Sequence, residues 1–174
     1  MKTILIGSQV WTTKNLRVFK FHNGDPIPIV QDPDDWAVLQ EAAMCINPDS
    51  GECYYNWLAI DDPRGLAPEG FHVPTDMQWL QLVRFCGDFH KAGGYLKSTK
   101  KWDGTRKSGF KAIAGGYRCR TGSFHSEIIG YFWSSTPNGA YSWSYYLTDS
   151  DSGINRDDYH TTYGFSVRLI KDQL

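Results

Sequence analysis

Apolar and polar residues alternate with a period of two near both ends of the chain, the pattern of a strand with one buried face. Residues 3–11 predict an opening strand, with Ile4, Ile6 and Val10 among its apolar positions. A polar, turn-forming run, HNGDPIP, follows at 22–28. Residues 34–43 predict a short helix capped by Asp34, with Trp36 and Leu39 on one side. The clearest helical signal is VPTDMQWLQLVRFCGD. There Thr75 and Gln78 stand in capping-box spacing, Trp79, Leu82, Val83 and Cys86 recur at helical intervals, and Gly87 supplies a permissive stop. The segments AGGYLK, SGFKAIAGGYR and GYFWSST are punctuated by glycine and predict short strands joined by turns.

From Tyr141 the alternation sharpens. Tyr141, Trp143, Tyr145 and Leu147 share one face, predicted to pack inward, and Ser142, Ser144, Tyr146 and Thr148 share the other. Residues 164–170 repeat the logic, with Phe165, Val167 and Leu169 opposite Ser166 and Arg168. Pairing of the two strand-like ends in one sheet would close the domain. With no repeat, charge block or Gly/Ser linker, residues 1–174 read as a single domain, long enough to bury roughly 70% of its unfolded surface.

Composition narrows the function classes. Eighteen Lys and Arg against nineteen Asp and Glu leave a formal charge of -1, which argues against a nucleic-acid partner or an anionic membrane. No apolar run approaches the roughly 20 residues that a membrane helix needs, so no membrane insertion is expected. MKTILIGSQVW lacks a small-residue cleavage site and does not read as a signal peptide. Seven Trp, ten Tyr and nine Phe suit flat aromatic strands in a loop-rich fold.

The chemistry-bearing residues are scattered. Cys45, Cys53, Cys86 and Cys119 match no zinc or thioredoxin-like spacing. Cys45 and Cys53 have the spacing to bridge a loop in an oxidising compartment, but small buried thiols are the favoured reading. The five histidines fall in no HExxH, and GxSxG and P-loop motifs are absent. A pair such as His125 and Glu127 has the spacing for acid/base work, although neighbours two apart in a strand are common, and His72 reads as framework. Asp61 and Asp62, and the acidic stretch 149–158, offer oxygen ligands, although acidic pairs in loops more often cap turns. No enzyme, cofactor or metal is expected.

Six segments, in order over nearly the whole chain, carry a family resemblance: IGSQVWTTKNL, NGDPIP, YNWLAIDDPRGLAPEGFHVPTDMQW, GGYR, FWSST and YGFSVRLIKD. They resemble the Fibrobacter succinogenes major paralogous domain. That resemblance implies an α+β, C-type-lectin-like fold of the formylglycine-generating-enzyme type: short helices around twisted antiparallel sheets with much irregular loop. The formylglycine enzymes use cysteines late in their domain, and here none follows Cys119, so their activity is not carried over. The calcium-dependent sugar motifs of C-type lectins are absent as well.

Residues 128–170 contain no Lys, Glu, Gln or Met, whereas residues 1–127 contain 21 of them. Strands and turns disfavour these residues to a degree. Codons randomised at their first two bases and ending in a pyrimidine also exclude them, together with Trp, and only Trp133 and Trp143 break that rule. The stretch therefore resembles the variable region of a diversity-generating retroelement. Such elements diversify C-type-lectin-like binding proteins, phage receptor-binding proteins among them. The resemblance implies a receptor-binding adhesin on a phage tail-fibre tip or a bacterial cell surface. Its partner would be a cell-surface protein or glycan, and an oligomer is compatible with it. A Tyr-, Ser-, Asn- and Asp-rich surface suits binding in the way an antibody paratope does. The candidate contacts are Asn138, Ser144, Tyr146, Thr148, Asp149, Asn155, Asp157, Asp158, Tyr159 and His160, which alternate outward or fall in an expected loop before the last strand. A non-diversified surface or pilus-like structural module is the alternative.

Overall fold

The opening segment is a hairpin, not the one strand that its alternation predicts. Gly7, at φ 61°, turns β1 (Thr3–Ile6) back into β2 (Gln9–Thr12), a conformation that glycine adopts without Cβ strain. The computed structural model describes all residues except 100, 101, 103, 105–107, 126, 127 and 174. The turn at 22–28 forms as read, with the Asp25 N–H donating to the Asn23 side chain at 3.0 Å.

Helix α1 (Pro33–Ala37) is shorter than expected and starts earlier. Pro33 takes the first helical position, so the cap falls to Asp32, whose carboxylate accepts from the Asp34 and Asp35 N–H groups at 2.9 and 3.1 Å. Strands β3 (Met44–Ile46) and β4 (Cys53–Tyr55) then pair antiparallel. Ile46 lies opposite Cys53 and Cys45 opposite Tyr54, which puts the two thiols on opposite faces of the ribbon. They are free and buried, and no bridge links them.

Short helix α2 (Trp57–Ile60) and strand β5 (Phe71–His72) lead into α3 (Asp76–Phe85). The capping box forms as predicted, with Gln78 Oε1 accepting from the Thr75 N–H at 2.8 Å and Thr75 Oγ1 accepting from the Gln78 N–H at 3.3 Å. Gly87 at φ 115° follows the C-cap Cys86. AGGYLK is helical, contrary to the strand expectation, and forms α4 (Ala92–Leu96). Its glycines serve packing: a Cβ on Gly93 would fall 1.8 Å from the Gly153 carbonyl oxygen. In SGFKAIAGGYR only β6 (Tyr117–Arg118) is strand, paired with β7 (Phe124–His125).

The largest element pairing is the antiparallel sheet of β8 (Ile129–Asn138), β9 (Tyr141–Thr148) and β10 (Asn155–His160), with β9 central. A bulge between Trp133 and Pro137 bends β8 against the start of α3, where Thr136 Oγ1 accepts from the Asp76 N–H at 2.9 Å. Strand β11 (Ile170–Lys171) pairs with β2 and β5, so the two ends of the chain share one sheet, ordered β1-β2-β11-β5. Only its end is strand. Residues 164–169 run extended through single bridges to Arg118, Tyr55 and Phe132. Both sides of that segment are covered, so Ser166 and Arg168 are as buried as Phe165.

Core packs on both faces of the β8–β10 sheet. On one side Trp79 of α3 stacks on Tyr145 at 4.9 Å and meets Trp11 at 4.8 Å and Phe132 at 5.8 Å. On the other, Trp133 lies 4.3 Å from Phe165 and donates from Nε1 to the Tyr55 carbonyl at 2.9 Å. Two-sided burial corrects the simple inward/outward division of β9. Tyr145 and Leu147 are buried as expected, but so are Ser142 and Ser144, whose small side chains lie under the second core; Ser144 sits directly opposite Trp133. At the bulge the first core ends. Tyr141 is 47% exposed, and Trp143 is half-buried beneath the Arg156 guanidinium, 3.4 Å from its ring centroid. Among the described residues no helix is long and apolar enough to cross a membrane.

Candidate functional site

Alternation along β9 and β10 decides which expected contacts share a surface. Tyr146 lies opposite Asn155, and Asp157 and Tyr159 follow on the same face. Tyr146, Asn155 and Tyr159 are half-buried and Asp157 is exposed. Thr148 has the same phase, but its hydroxyl turns to Ser150 and Asp151 at the loop, beside the exposed Asp149. Residues 155–160 form a strand, not the loop expected of so polar a run.

Asn138, Asp158 and His160 lie on the opposite face, near the β8–β9 turn. Asn138 Nδ2 donates to Asp158 Oδ2 at 2.5 Å, and the His160 ring meets the edge of Tyr141 at 5.9 Å. His160 also borders a cleft of about 580 Å³ with Arg120 and Val38. Ser144 joins neither group. It is fully buried and donates to the Asp157 carbonyl at 3.2 Å, which corrects its assignment as a contact.

The first face is wider than the sequence alone indicates, because tyrosines from other segments complete it. Tyr131 of β8 stacks on Tyr146 at 4.9 Å and meets Tyr159 edge-on at 5.4 Å, their hydroxyls 3.3 Å apart. Tyr117 of β6 packs edge-on against Tyr131 at 4.8 Å and stacks with the exposed His125 ring at 4.8 Å. Tyr163 closes the array, 5.3 Å from Tyr159 and 6.3 Å from Tyr117. Phe165 is the buried floor, 4.6 Å from Tyr131 and 5.2 Å from Tyr159. Tyr117 and Tyr163 sit in segments that read as framework, and no local spacing links them to Tyr146. The usable signal is Tyr131, two residues before Trp133 and opposite in phase to the core residue Phe132.

Burial holds the phenols of Tyr117, Tyr131, Tyr146 and Tyr159 above the ordinary tyrosine pKa, and the Asp157 carboxylate adds to this at Tyr146 and Tyr159. All four are neutral near pH 7. They stack, donate and accept, but they are not phenolate nucleophiles. Several charged groups elsewhere are engaged structurally. Arg156 forms a two-pronged bond to Asp76 at 2.8 Å on each oxygen, and Tyr145 donates to the same carboxylate at 2.7 Å. His72 is held between Asp172 and Gln78. Asp62 is gripped by Arg64 at 2.8 Å, which pulls the carboxyl pKa below its usual range. Glu127, the suggested partner of His125, lies outside the described residues. Among the described residues no three His, Cys, Asp or Glu side chains gather to hold a metal.

Small antiparallel sheets, short helices and long irregular connections make this an α+β protein. The chain belongs to the Fibrobacter succinogenes major domain family, whose model it matches over residues 4–171. No curated protein and no solved structure matches it.

Proposed function

We propose that the protein is a ligand-binding module of C-type-lectin-like fold, not an enzyme, and that it holds a cell-surface protein or glycan on the tyrosine face. The observation that carries this reading is the continuous ring contact of four half-buried tyrosines, Tyr117, Tyr146, Tyr159 and Tyr163, around the buried Tyr131, with Asn155 and Asp157 beside it. Contiguous, partly exposed aromatic surface mostly marks a binding site. Tyrosine gives large contact area at small entropic cost, and neighbouring amide and carboxylate groups supply directional bonds. The residue types absent from 128–170 support taking the outward positions of β9 and β10 as the variable region of a diversity-generating retroelement.

The test is binding of the purified protein to a glycan array and to a panel of bacterial cells, followed by Tyr146→Ala and Tyr159→Ala on the best ligand. Each substitution is expected to cost about 2 kcal/mol of binding, with thermal melts showing both variants folded. Undiminished affinity in the double variant would move the site elsewhere. Absence of any ligand in either panel would favour the structural-module alternative.

A further inference from the structure

Lys111 is the only described residue other than glycine at positive φ, at 57°, while ten glycines occupy the remaining described positions of this kind. An L side chain is strained there, and such strain persists where something else over-determines it. Part of the reason is structural. The Phe110 and Lys111 carbonyls accept from Arg168 at 2.8 and 3.3 Å. Glycine at 111 would present the same carbonyl without strain, so this contact does not account for a lysine. What the lysine adds is a cationic side chain on a cleft of about 360 Å³.

Lys14 and Arg17, both exposed, line the same cleft, where one Arg17 nitrogen donates to the Gly51 carbonyl at 2.5 Å and leaves the others to face the cleft, and Arg168, 1% exposed, lines it from within the protein. Four cations thus face one lining carboxylate, Glu52. That carboxylate accepts from Asn15 Nδ2 at 2.8 Å, and Asn15 Oδ1 accepts from Arg168 Nε at 2.7 Å. Among the described residues no carboxylate forms an ion pair with any of the four cations. A concave surface with excess charge of one sign focuses its field on a counter-ion.

We propose that this cleft is an oxyanion-binding site for a small ligand that carries a carboxylate or a phosphate. Lys14, Arg17 and Lys111 supply charge-assisted donors from the rim, and Arg168 raises the potential from below. The volume fits a ligand about the size of a monosaccharide. The cleft shares no residue with the tyrosine face, so this proposal stands or falls independently of the one above.

Calorimetric titration at low ionic strength with inorganic phosphate, galacturonate and neutral galactose tests it. One-to-one saturable binding of either anion, with galactose silent, is expected. Tighter binding of phosphate assigns a phosphorylated ligand, and tighter binding of galacturonate a carboxylated one. Lys111→Gly removes the ammonium and gives this backbone its preferred residue, so a melt at or above the wild-type temperature checks its fold. It should weaken anion binding about tenfold, the loss of one hydrogen bond to a charged group, whereas Lys111→Arg should retain it. The proposal is overturned if neither anion saturates, if galactose binds as well as galacturonate, or if Lys111→Gly combined with Arg17→Gln leaves the affinity unchanged.

Discussion

Phe165 and Trp143 are both large aromatic residues of the C-terminal region, and the structure assigns them opposite importance for stability. Phe165 is fully buried between Trp133 and the tyrosines, so Phe165→Ala should cost about 3–5 kcal/mol in urea unfolding. Trp143 is half-buried and held by the Arg156 cation, so Trp143→Ala should cost only about 1–2 kcal/mol, close to a partly desolvated cation–π contact. A Trp143 loss as large as that of Phe165 would contradict the strand as described. The sequence alone predicts both as core, because alternation carries no information about where a covering layer stops. Tyr145 and Leu147 are correctly read since they join the core built around Trp79 of α3; Trp143 lies opposite the bulge and Tyr141 beyond it, where that core ends. The candidate contacts divide for a related reason. Tyr146, Asn155, Asp157 and Tyr159 share a face with the tyrosines of other segments, while Asn138, Asp158 and His160 point the other way.

Elements whose signals are local were the legible ones. Helix α3 announces its start through Thr75 and Gln78 and its stop through Gly87, and all three act as read. Thr75→Ala should lower stability by about 1 kcal/mol through loss of the cap, and Thr75→Ser should restore it, as thermal or urea melts will show. Elements that depend on distant partners were harder to read. Gly93 is glycine because the chain at Gly153 passes almost against it, a packing demand that no local window reveals and that marks neither a turn nor a strand. The polar run NRDDYH forms strand β10 by pairing with β9, and its charges suit an exposed sheet edge. Residues 3–11 alternate as a strand would, and only the φ of Gly7 distinguishes one strand from two.

At the scale of the whole molecule, buried protonated groups predict sensitivity to alkali. Burial raises the Cys45 thiol from 9.0 to about 12, the Cys86 thiol from 9.0 to about 11 and the Tyr54 phenol from 10.0 to about 12. The unfolded chain releases these protons first. Their contribution is therefore complete below about pH 9 and is lost as pH rises toward 12. Urea midpoints should hold steady from pH 7 to 8.5 and fall by pH 11; a flat profile over that range would refute the assignment. The two fully buried arginines have a different consequence. Arg118 donates to the carbonyls of Gly122, Val30, Gln31 and Asp32, and Arg168 to those of Thr12, Phe110 and Lys111. A carbonyl is common to every residue type, so these clamps grip the course of a loop and are indifferent to its spelling. Replacing the side chains at the clamped positions should therefore leave the frame standing, whereas removing either guanidinium would release several segments at once.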